Sequence, residues 1–302
     1  MTYLIIIFSS LIIYFKISPQ WSILLGLLIS ISLPSSSFVL KYGKSWSSKL
    51  LQLSIVLLGA GLNFQSIIKE GSFGLIVTSL SIISVFIFGH LLNRFFNIQK
   101  TLSLLITTGT SICGGSAISA ISPIVNASTL TMATALSIVF ILNAISVFIF
   151  PPIGDLLNLT ELQFGTWAAL AIHDTSSVIA ASQIYGEQAL KIGTTLKLTR
   201  ALWIIPLSLI LAALNKAHSK LSFPWFIIGF LLTSLIFTFS SNLNFLVPYF
   251  TSFSKIGFSL TLFLIGLSLN LKQVKEIGFK PIFYAFILWF ISAVGSLIFV
   301  LY

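Results

Sequence analysis

Apolar stretches of about 20 residues recur from one end of this chain to the other, and that recurrence decides its solvent. A run of that length is what a helix needs to cross a hydrocarbon core roughly 30 Å thick. Of the 302 residues, 22 are charged, or 7%, whereas a soluble domain carries about 25%. So few charges cannot build a water-facing surface. A soluble enzyme is therefore excluded, and an all-α integral membrane protein is expected, with residues 1–302 forming a single polytopic transmembrane transporter domain.

Punctuation by charged, Pro, Gly and Asn residues divides the chain into 10 to 11 transmembrane helices. Eleven candidates fall near 3–15, 21–39, 50–64, 73–92, 101–123, 129–150, 163–185, 194–214, 222–240, 252–271 and 281–301. The apolar N-terminus lacks a basic leader region and a small-residue cleavage signature, so it reads as the first span. Even-numbered connections hold ten basic residues (Lys41, Lys44, Lys49, Arg94, Lys100, Lys216, Lys220, Lys272, Lys275 and Lys280). Odd-numbered ones hold five (Lys16, Lys69, Lys191, Lys197 and Lys255). Positive charge favours the cytoplasmic side, which predicts a cytoplasmic N-terminus in a multi-pass protein of the cell membrane.

The formal net charge of +10 is scattered singly through connections, without the clustered stripe that nucleic acid requires. Cys113 is the one cysteine, and His90, His173 and His218 show no ligand spacing, so neither a disulfide nor a metal or other cofactor is expected. No GxxxxGK[ST] loop is present, so energy must come from an ion gradient or a partner.

Residues Gly59 to Gly71 echo Gly266 to Gly278: Gly59, Leu62, Asn63 and Gly71 match Gly266, Leu269, Asn270 and Gly278 at one offset. The copies end the third and tenth spans, which cross in opposite directions, as inverted-topology repeats do. The competing reading is that Gly and Asn simply punctuate helix ends.

Two spans carry dense polar residues at membrane depth. In the fifth, Thr107 to Ser116 includes Thr110, Ser111, Gly114, Gly115 and Ser116. In the seventh stand His173, Asp174, Thr175, Ser176 and Ser177. Backbone left unpaired in hydrocarbon is costly, so a broken helix survives only where protein or a water-filled cavity meets its free groups. Both breaks are thus candidate substrate sites, at which a half-helix N-terminus and neighbouring hydroxyls suit an anion. Close packing of small residues is the alternative. Asp174 is the acidic residue that falls well inside a span, so with His173 it is expected to carry a coupling proton, or to help hold a sodium ion. An Asp there also suits the N-cap of a half-helix starting at Thr175. Lys197 and Arg200 share one face of the eighth span. Arg200 is expected to pair with Asp174 or attract the anion, against snorkelling to the interface.

The segments GAGLN (59–63), TGTSICGGSAISA (108–120), HDTSSVIAAS (173–182), KLTR (197–200) and GLSLN (266–270) together resemble the YeiH-type conserved membrane proteins, a family labelled as sulfate exporters. The resemblance spans essentially the whole chain. By analogy with bile-acid-transporter and sodium/proton-antiporter-like folds, it implies inverted repeats with two broken helices facing a shared cavity at midplane. The fifth and seventh spans should run parallel, however, which does not suit repeat mates.

The expected function is secondary active transport of a small inorganic or organic anion, sulfate or another sulfur oxyanion, coupled to a proton or sodium gradient by alternating access. A cation/proton antiporter centred on Asp174 is the alternative. The expected partners are that anion, the coupling ion and the lipid bilayer; a homodimer is admitted and nucleic acid is not. An intramembrane enzyme has only Ser176 beside His173 to recommend it, with no third member, so no enzymatic activity is expected.

Overall fold

Hydrocarbon offers the backbone no hydrogen bonds, so a chain of this composition satisfies its peptide groups within helices. The computed structural model describes residues 2–15, 17, 19–32, 37–215, 225–268 and 278–302, and among these there is no strand. The helices are α1 Thr2–Phe15, α2 Pro19–Ser32, α3 Ser37–Leu58, α4 Phe64–Phe96, α5 Lys100–Ser111, α6 Gly115–Ile121 and α7 Thr129–Leu156. They continue as α8 Glu161–Ala171, α9 Thr175–Tyr185, α10 Glu187–Ala201, α11 Ile204–Asn215, α12 Trp225–Phe239, α13 Val247–Ser268 and α14 Phe279–Leu301. Five stretches among the described residues are long and apolar enough to cross a membrane: Gly74–Phe96, Leu130–Leu156, Glu187–Leu214, Asn242–Leu267 and Phe279–Leu301. Leu80 (63%) and Phe290 (56%) stand exposed on such helices, a placement that suits lipid and not water.

Helices occupy the eleven expected stretches among the described residues, but the seventh does not run on as one broken span: Phe164 of α8 stacks on Tyr185 of α9 at 3.8 Å and the Tyr185 hydroxyl donates to Leu159 O (2.6 Å), so α9 folds back along α8 as a hairpin. Hydropathy also misplaced several ends. Lys41 to Lys49, expected between spans, lie on α3, because that stretch contains no proline to stop a helix before its apolar half begins. Helix α4 runs 33 residues, well beyond the apolar 73–92. The eighth span holds an unexpected interruption at Leu202 and Trp203. Pro206 has no N–H to give Leu202, and the chain tightens to three-residue bonds, Trp203 N–H to Arg200 O (3.1 Å) and Ile205 N–H to Leu202 O (3.1 Å).

The chain packs as two compact units. The first comprises α1 to α3, the start of α4, α12 and α13, and several of its helices approach one another at glycine. A Cβ on Gly26 of α2 would lie 2.3 Å from Phe263 O, and one on Gly266 of α13 would lie 2.4 Å from Ile23 O, so these two helices meet backbone to backbone. A Cβ on Gly59, the counterpart of Gly266 in the sequence echo, would likewise lie 2.5 Å from Phe230 O of α12. Asn63 caps α4 by accepting the Gln65 N–H (2.9 Å), while Leu269 and Asn270 lie outside the described residues.

The second unit comprises α4 from Glu70, α5 to α11, and α14. Phe150 of α7 stacks on Trp167 of α8 at 4.2 Å, and the Trp167 indole N–H donates to Ala293 O of α14 (2.9 Å). The buried Tyr284 hydroxyl donates to Gly89 O of α4 (3.0 Å) and meets Ser103 (2.9 Å) and Thr107 (2.8 Å) of α5. These contacts fix α5 and α8, the helices that end at the two breaks.

Substituting Gly26 by Leu is expected to abolish the folded first unit, because the obstructing atoms are backbone and cannot move aside. Tyr284→Phe should cost about 1–3 kcal/mol through the stranded polar groups. Melting of the purified protein followed by tryptophan fluorescence ranks the two; a Gly26→Leu protein that melts normally contradicts the crossing.

A candidate site at two helix breaks

Each break has a local cause. Helix α5 ends at Ser111, and the chain turns through Ile112, Cys113 and Gly114 before α6 begins. Gly114 takes φ +56°, a left-handed conformation that favours glycine, and a Cβ there would lie 3.3 Å from Asp174 Cβ. The first break therefore rests directly on the second. Helices α8 and α9 have 11 residues each, about 16 Å apiece, so their break falls near the middle of a roughly 30 Å core.

A helix end leaves its last carbonyls without partners, and at this depth every one must be met from within the protein. On α5 the accounting is complete. Thr108 O accepts from Ile112 N–H (3.1 Å) and Gly109 O from Gly114 N–H (2.8 Å). Thr110 O accepts from Arg200 Nη2 (3.1 Å) and Ser111 O from Arg200 Nε (2.6 Å). The same guanidinium serves α8, where Nη1 donates to Ala169 O (3.1 Å) and Leu170 O (2.5 Å). Lys197, one turn earlier on α10, places Nζ 2.7 Å from Ile172 O and 3.5 Å from Ala169 O. Both basic side chains are completely buried. Neither snorkels, and the hydrogen bonds of Arg200 go to carbonyls, with the planar fork joining the ends of both half-helices.

At the other side of the second break, Asp174 is the N-cap of α9. Its Oδ2 accepts the Ser176 N–H (3.1 Å) and the Ser176 hydroxyl. The Asp174 N–H in turn donates to Asn143 Oδ1 of α7 (3.2 Å). Asn143 is not among the residues that the sequence analysis singles out; its one signal there is a lone amide inside the apolar run of the sixth span. Thr110, Ser111, Gly114, Thr175 and Ser177 are buried here as well, whereas Ser116 is exposed at the start of α6. Gly115 is buried beside Phe140, with 3.0 Å from an added Cβ to the ring.

Several buried polar atoms at the breaks have no hydrogen-bond partner: both ring nitrogens of His173, the hydroxyls of Thr108 and Thr110, and Asn143 Nδ2. Such atoms are costly unless something satisfies them. Among the described residues no three His, Cys, Asp or Glu side chains converge as a metal-binding group. A cavity of about 530 Å³ elsewhere, between α4 and α11, is lined by Ile82, Phe86, Trp203 and Leu207, an apolar surface without the chemistry of the breaks.

Arg200→Met is expected to destabilise the second unit strongly, since each buried carbonyl left without a donor costs about 1–3 kcal/mol. Arg200→Lys should recover only part of the loss, because an ammonium cannot reach both half-helices. Thermal unfolding of the native protein and the two variants decides the matter, and an Arg200→Lys variant that melts with the native protein would show that the fork is dispensable.

The profile of a family described as conserved hypothetical protein 698 matches residues 2–285. A UPF0324 membrane protein of Bacteroides thetaiotaomicron is 42% identical over 287 residues, covering 94% of this chain and 86% of that protein. Counterparts with the same description in Porphyromonas gingivalis (39% over 290 residues, 94% and 87% covered) and Shewanella oneidensis (39% over 292 residues, 95% and 92% covered) are similar along nearly their whole length. No solved structure matches. The motifs at residues 108–120 and 173–182 thus have their context: the chain belongs to the conserved hypothetical protein 698 family of UPF0324, YeiH-type membrane proteins.

Proposed function

We propose that this protein is a secondary transporter of a small anion, such as sulfate or another sulfur oxyanion, which works by alternating access about its two helix breaks and is driven by a proton or sodium gradient. The observation that carries this reading is the charge balance at the breaks. The ends of α5 and α8 contribute roughly half a negative charge each and the starts of α6 and α9 roughly half a positive charge each, and these cancel. Lys197 and Arg200 are two basic side chains buried at the breaks, against the one acidic side chain of Asp174. With all three ionised the site is one negative charge short of neutral, which a small anion would supply. A cation antiporter centred on Asp174 would add positive charge where it is already in excess.

The donors for such an anion are at hand in Asn143 Nδ2, the Thr110 hydroxyl and His173, which lack partners, and in the first turn of α9. Asp174 occupies that first turn with its own carboxylate. An anion reaches it only when the carboxylate is neutralised or turned aside, and this exchange ties anion entry to a coupling ion at Asp174 or His173. An enzymatic reading gains no support, because the Ser176 hydroxyl bonds Asp174 and leaves His173 unpaired.

The test is thermal stabilisation of the purified protein by a panel of anions and cations between pH 5 and 9. A ligand at 100 times its Kd raises stability by about 2.7 kcal/mol. One oxyanion class should stabilise selectively, and Thr175→Val should weaken the effect; stabilisation by sodium or acid alone would favour the antiporter. Asp174→Asn should still fold, since asparagine caps helices about as well, yet lose gradient-driven uptake into proteoliposomes. Unchanged uptake would remove Asp174 from the coupling step.

A further inference from the structure

The interrupted end of α8 is built like a seat for a small cation. Its last carbonyls, freed from helical pairing by the break, are buried near mid-depth, and the negative end of the half-helix dipole falls on the same spot. In transporters with discontinuous helices, such C-terminal ends and unwound carbonyls coordinate coupling ions. Here the spot is taken. Helix α10 packs along α8 so closely that a Cβ on Gly165 would lie 2.7 Å from Ala189 O, and this approach lets Lys197 reach the break. Its Nζ stands 2.7 Å from Ile172 O and 3.5 Å from Ala169 O, with the whole side chain buried. The charged and titratable groups facing it are Arg200 on its own helix, Cys113 in the first break, and His173 and Asp174 in the second. Arg200 differs in kind, since its fork is committed to four carbonyls on two half-helices. Lys197 carries a compact point charge on a flexible stem and serves one half-helix alone.

We infer that the Lys197 ammonium is a tethered cation filling the seat that a coupling sodium ion would otherwise take, so that this transporter is driven by protons and works without sodium. The inference rests on the anion-transport reading and names its coupling ion. With a positive charge already against Ile172 O, a second cation meets repulsion and finds its oxygens occupied. The proton-accepting groups that remain beside the anion are Asp174 and His173.

The experiment is melting of the purified full-length protein in sodium, potassium or N-methylglucamine chloride at equal ionic strength. The native protein should melt at the same temperature in all three. Lys197→Ala should melt lower in N-methylglucamine and be raised saturably by sodium and by methylammonium, either of which fits the vacated seat. Rescue by a small amine is a readout that mere loss of packing does not produce. Should the alanine variant fail to fold, Lys197→Met, which keeps the apolar stem but leaves Ile172 O without a donor, takes its place with the same expected sodium response. Saturable stabilisation of the native protein by sodium overturns the inference, and so does a Lys197 variant that responds to no small cation. The anion panel repeated in N-methylglucamine separates this idea from its foundation. Anion stabilisation that requires sodium overturns the coupling assignment and leaves anion transport standing; no anion response in any salt removes both.

Discussion

The structure turns on carbonyl oxygens that two interrupted helices leave unpaired in a medium without water. A single guanidinium meets four of them, two from each half-helix. Burying a charge is costly unless it is well matched, and here the match comes from two helix ends whose dipoles point their negative poles at one place. The cost of breaking the helices and the cost of burying Arg200 offset one another. Either alone would be unfavourable, so breaks and arginine are parts of one arrangement.

The rest of the second unit can be read as the means of bringing that guanidinium to its place. Gly165 and Gly193 let α10 lie against α8, and a Cβ on Gly193 would strike the Ser182 hydroxyl of α9 at 2.6 Å. The Glu161 carboxylate at the start of α8 accepts the N–H groups of Gln188 (2.7 Å) and Ala189 (3.1 Å), which sets where α10 begins and hence the height of Lys197 and Arg200. Directly beyond Arg200, the helix is interrupted by three-residue hydrogen bonds before Pro206. At the far side, the stacking of Phe150 on Trp167 and the Tyr284 hydroxyl hold α8 and α5 from α7, α14 and α4. Small residues set the approach, and aromatic ones set the position.

Much of this was legible in the sequence, for reasons that differ by feature. The breaks at 110–116 and 173–177 were visible because polar residues in an apolar run are costly, and position alone exposes them. The Asp174 cap was readable because Asp before Thr-Ser-Ser has one obvious local role. Helix ends were not, since hydropathy marks where lipid ends and α3 and α4 continue past it. The partners of Lys197 and Arg200 were beyond reach for another reason: main-chain carbonyls leave no trace in side-chain identity, so a residue whose role is to satisfy backbone looks like one seeking a carboxylate. The interruption at Leu202 has its sequence signal in Pro206, which stands inside an otherwise smooth apolar span. The parallel course expected of the fifth and seventh spans is not what the structure has: Gln99, just before α5, lies beside Thr131 at the start of α7 (3.5 Å), whereas α8 begins just beyond the end of α7, so α5 and α8 enter from opposite ends of that helix and their C-terminal ends meet at one arginine.

The second break, considered alone, is furnished with its own ions. An ammonium from Lys197 lies on its carbonyl side and a carboxylate from Asp174 on its amide side. These are the charges that a solute cation and a solute anion would bring to the same two helix ends. A break so furnished can stay closed without any solute, as the proposed transport reading requires of the empty protein. On that reading binding would be an exchange, in which an arriving anion would displace a tethered one and gain only the difference between them. Coupling would follow from that difference, because the anion would gain most when the displaced carboxylate had been neutralised. With two basic side chains and one acidic one, the balance of such an exchange would favour an anion over a cation, so that the buried groups taken together, more than any single residue, would govern what the breaks can hold.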